Sequence, residues 1–249
     1  MEDLMKRLET LEFELERARA YQECLNQIDK YTYYFNAGLY DLVADLWADR
    51  EDSSVEMAWG TFYGKKGVDR CYKLGHAKLS PEGAGIAKKG GFYIHSFVTP
   101  VLEVAADGKT ATGVFFSPGV ESPSPLMNDG ESECLWCWIK YGVDFIKVDG
   151  KWYIWHLSTY GWFMCDYHHS WAEGSHTGPQ PKEEGDEGYD DQPEEMRPDG
   201  PISHKDWTYT TTGDTELMPV PPLPYKTFRD IGYYLGCPNA HMPPLCDDI

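Results

Sequence analysis

An α+β domain, helices first and an antiparallel sheet after them, is the fold class this sequence predicts. Three observations carry it: a helical period through the first 48 residues, a switch to short alternating runs from about residue 54, and Asp-Gly pairs placed between those runs.

Leu4, Leu8, Leu11, Leu15, Ala18 and Leu25 recur at spacings of three to four or their multiples, which puts one apolar stripe on a helix. Asn36-Ala37-Gly38 interrupts it, and LYDLVADLWA (39–48) resumes the pattern through Leu42, Val43, Leu46 and Trp47 as a second helix. The runs VEMAWGTFYG, GGFYIHSFVTPVLEVAADGKTATGVFFSPG and ECLWCWIKYGVDFIKVDGKWYIWHLSTYGWFM read as strands. Asp107-Gly108 and Asp149-Gly150 lie inside them and mark hairpin turns, where glycine accepts a positive φ. A short helix is expected within VDRCYKLGHAK (68–78). Helices followed by strands imply helices packed on one face of a curved antiparallel sheet.

The net charge of −19 over 249 residues excludes a nucleic-acid binder or a partner of anionic lipid, since both need a positive surface. The charge is uneven. Glu173 to Asp199 holds ten acidic side chains against two basic ones, the mark of a solvated linker that cannot bury itself. With 41% hydrophobic and 14% aromatic residues the rest can build a core and a site for a flat, apolar ligand. The expected organisation is a leading helix (1–21), a folded domain (22–171), an acidic linker (172–200) and a Pro-rich, aromatic tail (201–249) packed on the domain or on a neighbouring subunit.

The charged N-terminus has no apolar core of a leader, and no run is long enough to span a membrane. Seven scattered cysteines, an odd number, suit reduced thiols in a cytoplasm. Cys134 and Cys137 have CxxC spacing, but they sit in a strand-like run with no second pair, so no metal site is expected. Nucleophile-elbow, P-loop, dinucleotide and zinc-protease motifs are all missing, which fits catalysis without a cofactor.

Three phrases, IDKYTYYFNAGLYDLVADLWAD, FYIHSFVTPVLEVAADGKTATG and YGVDFIKVDGKWYIWHL, stand in an order that resembles the SnoaL-like branch of the NTF2-like superfamily, over roughly Gln22 to Trp171. The resemblance implies a cone: a curved antiparallel sheet with N-terminal helices on its concave face and a deep pocket between them. Nearest in pattern are bile-acid dehydratases and scytalone-dehydratase-like enzymes, which imply general acid-base chemistry from Tyr, Asp and His side chains inside the cone. Tyr31 fits the helical Tyr of that pattern, and His95 fits the pocket His. The position of the helical Asp is Asn36, which can orient a hydroxyl or a water but cannot take a proton.

A neutral imidazole can remove a proton and return it near pH 7, so His95 is the first catalytic candidate, with Tyr31 and Asn36 holding the oxygen that leaves or becomes an enolate. Tyr34 shares a helix face with Tyr31. Strand alternation from Trp152 through Ile154 puts His156 on the same face as those apolar side chains, a second polar pocket candidate. Asp144 is expected to orient a His or to replace the missing carboxylate, and Trp59 and Phe115 to supply apolar wall.

The expected protein is thus a cofactor-independent, metal-free lyase of the cytoplasm. It eliminates water from, or cleaves a carbon-carbon bond by retro-aldol chemistry in, a hydroxylated apolar aromatic or polycyclic small molecule. It has no nucleic-acid or membrane partner and forms a homodimer or homotrimer. The alternatives are a non-catalytic ligand-binding or assembly module and a steroid-type isomerase.

Overall fold

The computed structural model describes residues 2–76, 90–123, 130, 133–173, 197–204, 209–214 and 217–228. Helix α1 (Glu2–Asn36) runs unbroken through the expected boundary at residue 21. It ends where sequence predicts. The N–H groups of Gly38 and Leu39 bond to the carbonyls of Phe35 and Tyr34, at 2.8 Å each, with Gly38 at φ 64°. Helix α2 (Tyr40–Ala44) follows at once and buries Tyr40, Val43 and Ala44.

Strands β1 (Ser54–Met57) and β2 (Gly60–Tyr63) form a hairpin. Helix α3 (Gly64–Asp69) widens into a π-helical stretch, Arg70–His76, so the expected short helix begins earlier than Val68; residues 77–78 lie outside the described residues. The sheet is completed by β3 (Phe92–His95), β4 (Val98–Val104), β5 (Thr110–Ser122), β6 (Leu135–Val148) and β7 (Lys151–Asp166). Its order is β2-β1-β7-β6-β5-β3, with β4 also pairing β5. Every pairing is antiparallel except β1 on β7, which lie parallel because β1 enters from the helices and runs back beside the last strand. The β6–β7 hairpin closes at Asp149 and Gly150, both with positive φ (49° and 79°), as its tight turn requires.

The helices lie on the concave face. Ala20, Cys24, Ile28 and Tyr31 of α1 pack with Val43 and Trp47 against Val104, Phe115, Tyr141, Val143, Phe145, Ile154 and Leu157 from the strands, in one buried cluster. Burying side chains of this size at a typical ~1.5–3 kcal/mol each is the term that holds helices to sheet.

Two irregularities govern where β7 points its side chains. Asp144 pairs with His156 while Phe145 pairs with Ile154, so Trp155 is an extra residue; Trp162 is a second, between Gly161 and Phe163. The expectation that His156 shares a face with Ile154 therefore fails. Past the bulge it is Leu157, opposite Val143, that enters the core. His156 and Asp144 instead meet each other, with Thr112 bonded to Asp144, apart from that cluster.

This outer face is covered by the chain's own later residues. Met218 packs on Val114 and Tyr160. The Tyr225 hydroxyl lies 3.4 Å from Thr112 Oγ1, and the Phe228 ring lies tilted against Trp155 at 4.6 Å between centroids. Glu56 Oε1 and His204 Nδ1, both fully buried, lie 2.5 Å apart, and Ser203 Oγ donates to Glu56 at 2.8 Å. The segments 197–204 and 217–228 thus rest on their own domain; most of the expected acidic linker lies outside the described residues. Among the described residues no helix is long and apolar enough to cross a membrane.

Candidate active site

His95 closes β3, where pairing sets it opposite Gly119 of β5, and Gly119 lies opposite Cys137 of β6. The bare backbone at Gly119 is what admits the imidazole: a Cβ there would stand 2.7 Å from His95 Nδ1 and 2.4 Å from the Cys137 carbonyl oxygen. Two residues along β5, Glu121 points the same way. Its Oε1 lies 2.8 Å from His95 Nε2, with side-chain exposures of 6% for His95 and 16% for Glu121. His95 Nδ1 is buried with no hydrogen-bond partner among the described residues. The carboxylate is thus the more accessible half of the pair.

Asn36 is bonded to the backbone of His95. Its Oδ1 accepts from the His95 backbone N–H at 3.0 Å, and its Nδ2 donates to the His95 carbonyl at 3.2 Å. Both ends of the amide are engaged, and they fasten β3 to the end of α1. An Asp here would accept the first bond and repel the second.

Around the pair stands an aromatic and phenolic ring. The Phe35 ring lies 6.1 Å from His95, 5.5 Å from His76 and 5.8 Å from Tyr40. Burial, then the nearby Tyr93 phenol and Glu121 carboxylate, push Tyr40 up to about 12. Burial and Glu121 raise Tyr93 as well. Both phenols stay protonated at neutral pH and able to donate. Burial lowers His76, against the opposing pull of the Cys71 carbonyl and Glu121, so its imidazole is neutral near pH 7. Its Nδ1 faces the Cys71 carbonyl at 2.8 Å and must carry the proton, which leaves Nε2 an acceptor. Trp59, expected as apolar wall, lies 5.5 Å from the His76 ring.

The other expected residues lie elsewhere. Tyr31 is deep in the core, ringed by Phe35, Trp47, Tyr72, Phe97 and Tyr141 at 5.5–6.3 Å. Its hydroxyl meets that of Tyr72 at 3.1 Å, and burial raises it above the ordinary phenol value. Phe35 contacts both rings, while the Tyr31 hydroxyl bonds Tyr72 and His95 Nε2 bonds Glu121. Phe115 packs on Phe97 within the same core, and Tyr34 is partly buried against it. Asp144 and His156 sit on the opposite side of the sheet and take no part in the concave site.

Glu121, His76, Tyr40 and Tyr93 were not foreseen. Alternation from Phe115 places Glu121 on the inner face, and an acidic residue at an inward position was the available signal. His95, Glu121 and Cys137 also bring one ligand atom each within 4.8 Å of one another, a His/carboxylate/thiolate set of the kind that binds zinc.

Helices packed on one face of a curved, mostly antiparallel sheet are the architecture of an NTF2-like domain. The SnoaL-like domain profile matches residues 16–158, more than half of the chain, and the protein belongs to that family. Among solved structures, LinA shares the fold at a TM-score of 0.50 and 13% identity, over 67% of this chain and 99% of its own. The dehydrochlorinase LinA-type3 of Novosphingobium barchaimii follows at 0.49 and 14%, over 67% and 99%. A candidate scytalone dehydratase of Novosphingobium aromaticivorans stands at 0.48 and 16%, over 64% and 93%. No curated protein matches the sequence.

Proposed function

We propose that this protein is a cofactor-independent lyase of the cytoplasm, eliminating water from a hydroxylated, largely apolar aromatic or polycyclic substrate. The observation that carries the reading is the His95–Glu121 pair, 2.8 Å apart and mostly buried beside protonated phenols. Glu121 and His95 act as one base. The carboxylate, the more accessible partner, takes the proton from the carbon next to an electron-withdrawing group, while His95 Nε2 shares the charge. In this reading Tyr40 and Tyr93 donate to the carbonyl oxygen that gains charge as the proton leaves. The C–O bond then breaks and the same pair returns the proton to the departing hydroxyl, so water leaves and a C=C bond remains. One base on one face makes the elimination syn. Retro-aldol cleavage uses the same parts.

A panel of hydroxylated steroids and diaryl propanediols, followed by mass loss of water or formaldehyde, tests the reading with His95→Ala as control. Turnover of a panel member by the native chain, lost in the variant without loss of fold, is expected; full turnover by the variant overturns it. EDTA separates the dyad from a metal centre at His95, Glu121 and Cys137, since the dyad works undiminished in chelator.

The packed rings around Tyr31 favour a second reading, a non-catalytic ligand-binding module of the same fold. Thermal stabilisation by a panel member that is never consumed would select it.

A further inference from the structure

Helix α1 is far longer than its domain uses. At about 1.5 Å per residue its 35 residues reach about 50 Å. The residues that meet the domain most closely are Arg17, which bonds the Val104 carbonyl, then Ala20, Cys24, Ile28 and Tyr31, centred on one side, with Leu25, Tyr34 and Phe35 partly buried toward the end of the helix. Leu4, Leu8, Leu11 and Leu15 lie on the roughly opposite side at 100° per residue, and all four are exposed, at 44–59%. The first of these residues also precede the matched SnoaL-like region, which begins at residue 16. Four leucines in solvent, aligned on one stripe, demand a partner.

Their spacing identifies it. Steps of four, three and four, continued by Ala18, are the alternating a and d positions of a heptad, a narrower seam than a helix packed on a sheet needs. With Leu8 and Leu15 at a and Leu4, Leu11 and Ala18 at d, position g holds Arg7 and Glu14, and the e positions that follow them hold Glu12 and Arg19. In a parallel pair of identical helices each g side chain faces the next e side chain of the other helix. Arg7 then meets Glu12 of the second copy, and Glu14 meets Arg19, so every flanking pair is opposite in charge. A helix selected to meet some other surface has no reason to be complementary to itself.

We infer that residues 4–18 of α1 pair with the same residues of a second copy as a parallel, two-stranded coiled coil that joins two domains outside the cone. The arrangement is independent of what the cone binds. It also leaves the outer sheet face, partly covered by the chain's own later segments, out of this contact.

Light scattering on the full chain across a dilution series tests it. The native protein is expected to show twice the mass of the double variant Leu8→Glu, Leu11→Glu, whose thermal midpoint stays that of the native domain because these side chains are exposed. Arg7→Glu, which sets Glu against Glu12, is expected to lower the mass in the same way at low salt, and Arg7→Glu combined with Glu12→Arg to restore it. A native monomer at every concentration, a mass indifferent to the leucine substitutions, or a charge swap that fails to restore it overturns the proposal.

Discussion

His95 Nε2 lies 2.8 Å from Glu121 Oε1, joining a residue of β3 to one of β5 that is 26 positions away along the chain. The pair supplies a carboxylate to the imidazole although the helical position that resembles an Asp in related sequences holds Asn36. The proposed elimination therefore draws its carboxylate from Glu121. Glu121→Gln keeps the shape and one acceptor but removes the negative charge, and turnover is expected to fall by about 10²–10⁴-fold with little change in thermal midpoint. Steady-state kinetics on the panel substrate check this, and a variant as fast as the native chain would falsify the dyad.

Asn36 serves the site by holding its backbone. Asn36→Ala removes both bonds to His95 and is expected to cost about 1–3 kcal/mol in urea unfolding, at about 0.5–1.5 kcal/mol per bond. Asn36→Asp is expected to restore no activity. Its carboxylate faces the His95 carbonyl, so the variant is weaker than native at neutral pH and recovers as acid neutralises it. Equal unfolding midpoints for Asp and Asn at pH 7 would contradict the clamp.

On the outer face, His156 donates toward Asp144 Oδ2 at 2.9 Å and toward the Asp52 carbonyl at 2.9 Å. Burial alone lowers its pKa, but the bond and charge of Asp144, with the contribution of Asp52, more than reverse this, and the net direction is upward. A histidine raised on folding stabilises the native state fully below its unfolded value of about 6.5 and loses that contribution as pH rises through the folded value. The stability gap between the native chain and Asp144→Asn, measured by urea unfolding from about pH 5.5 to 8.5, is therefore expected to be widest at the acid end. A gap that widens with pH would rule out this pairing.

The legible parts of the fold were the local ones. The helix stop at Asn36-Ala37-Gly38 and the hairpins at Asp107-Gly108 and Asp149-Gly150 depend on a few adjacent residues, and each stands where expected. His95 was legible through its phrase. Its partner was not, because Glu121 reaches it only through the β3–β5 register, which no local pattern encodes. His156 was misplaced for a related reason: alternation holds only while the ladder is regular, and one extra residue at Trp155 turns over the side chains that follow it, up to the second extra residue at Trp162.

By itself, then, the sequence determined the order of helices and strands, the turns and the His on β3, since propensity and period act over a few residues. It also carries the heptad stripe of α1, which is written at the same short range. Only the tertiary structure decided that the Asn36 amide bonds the His95 backbone, that the carboxylate beside His95 comes from β5, and that Asp144 and His156 lie on the far face. Those facts follow from register, bulges and the space left by a glycine at position 119, and all three are properties of strands already paired.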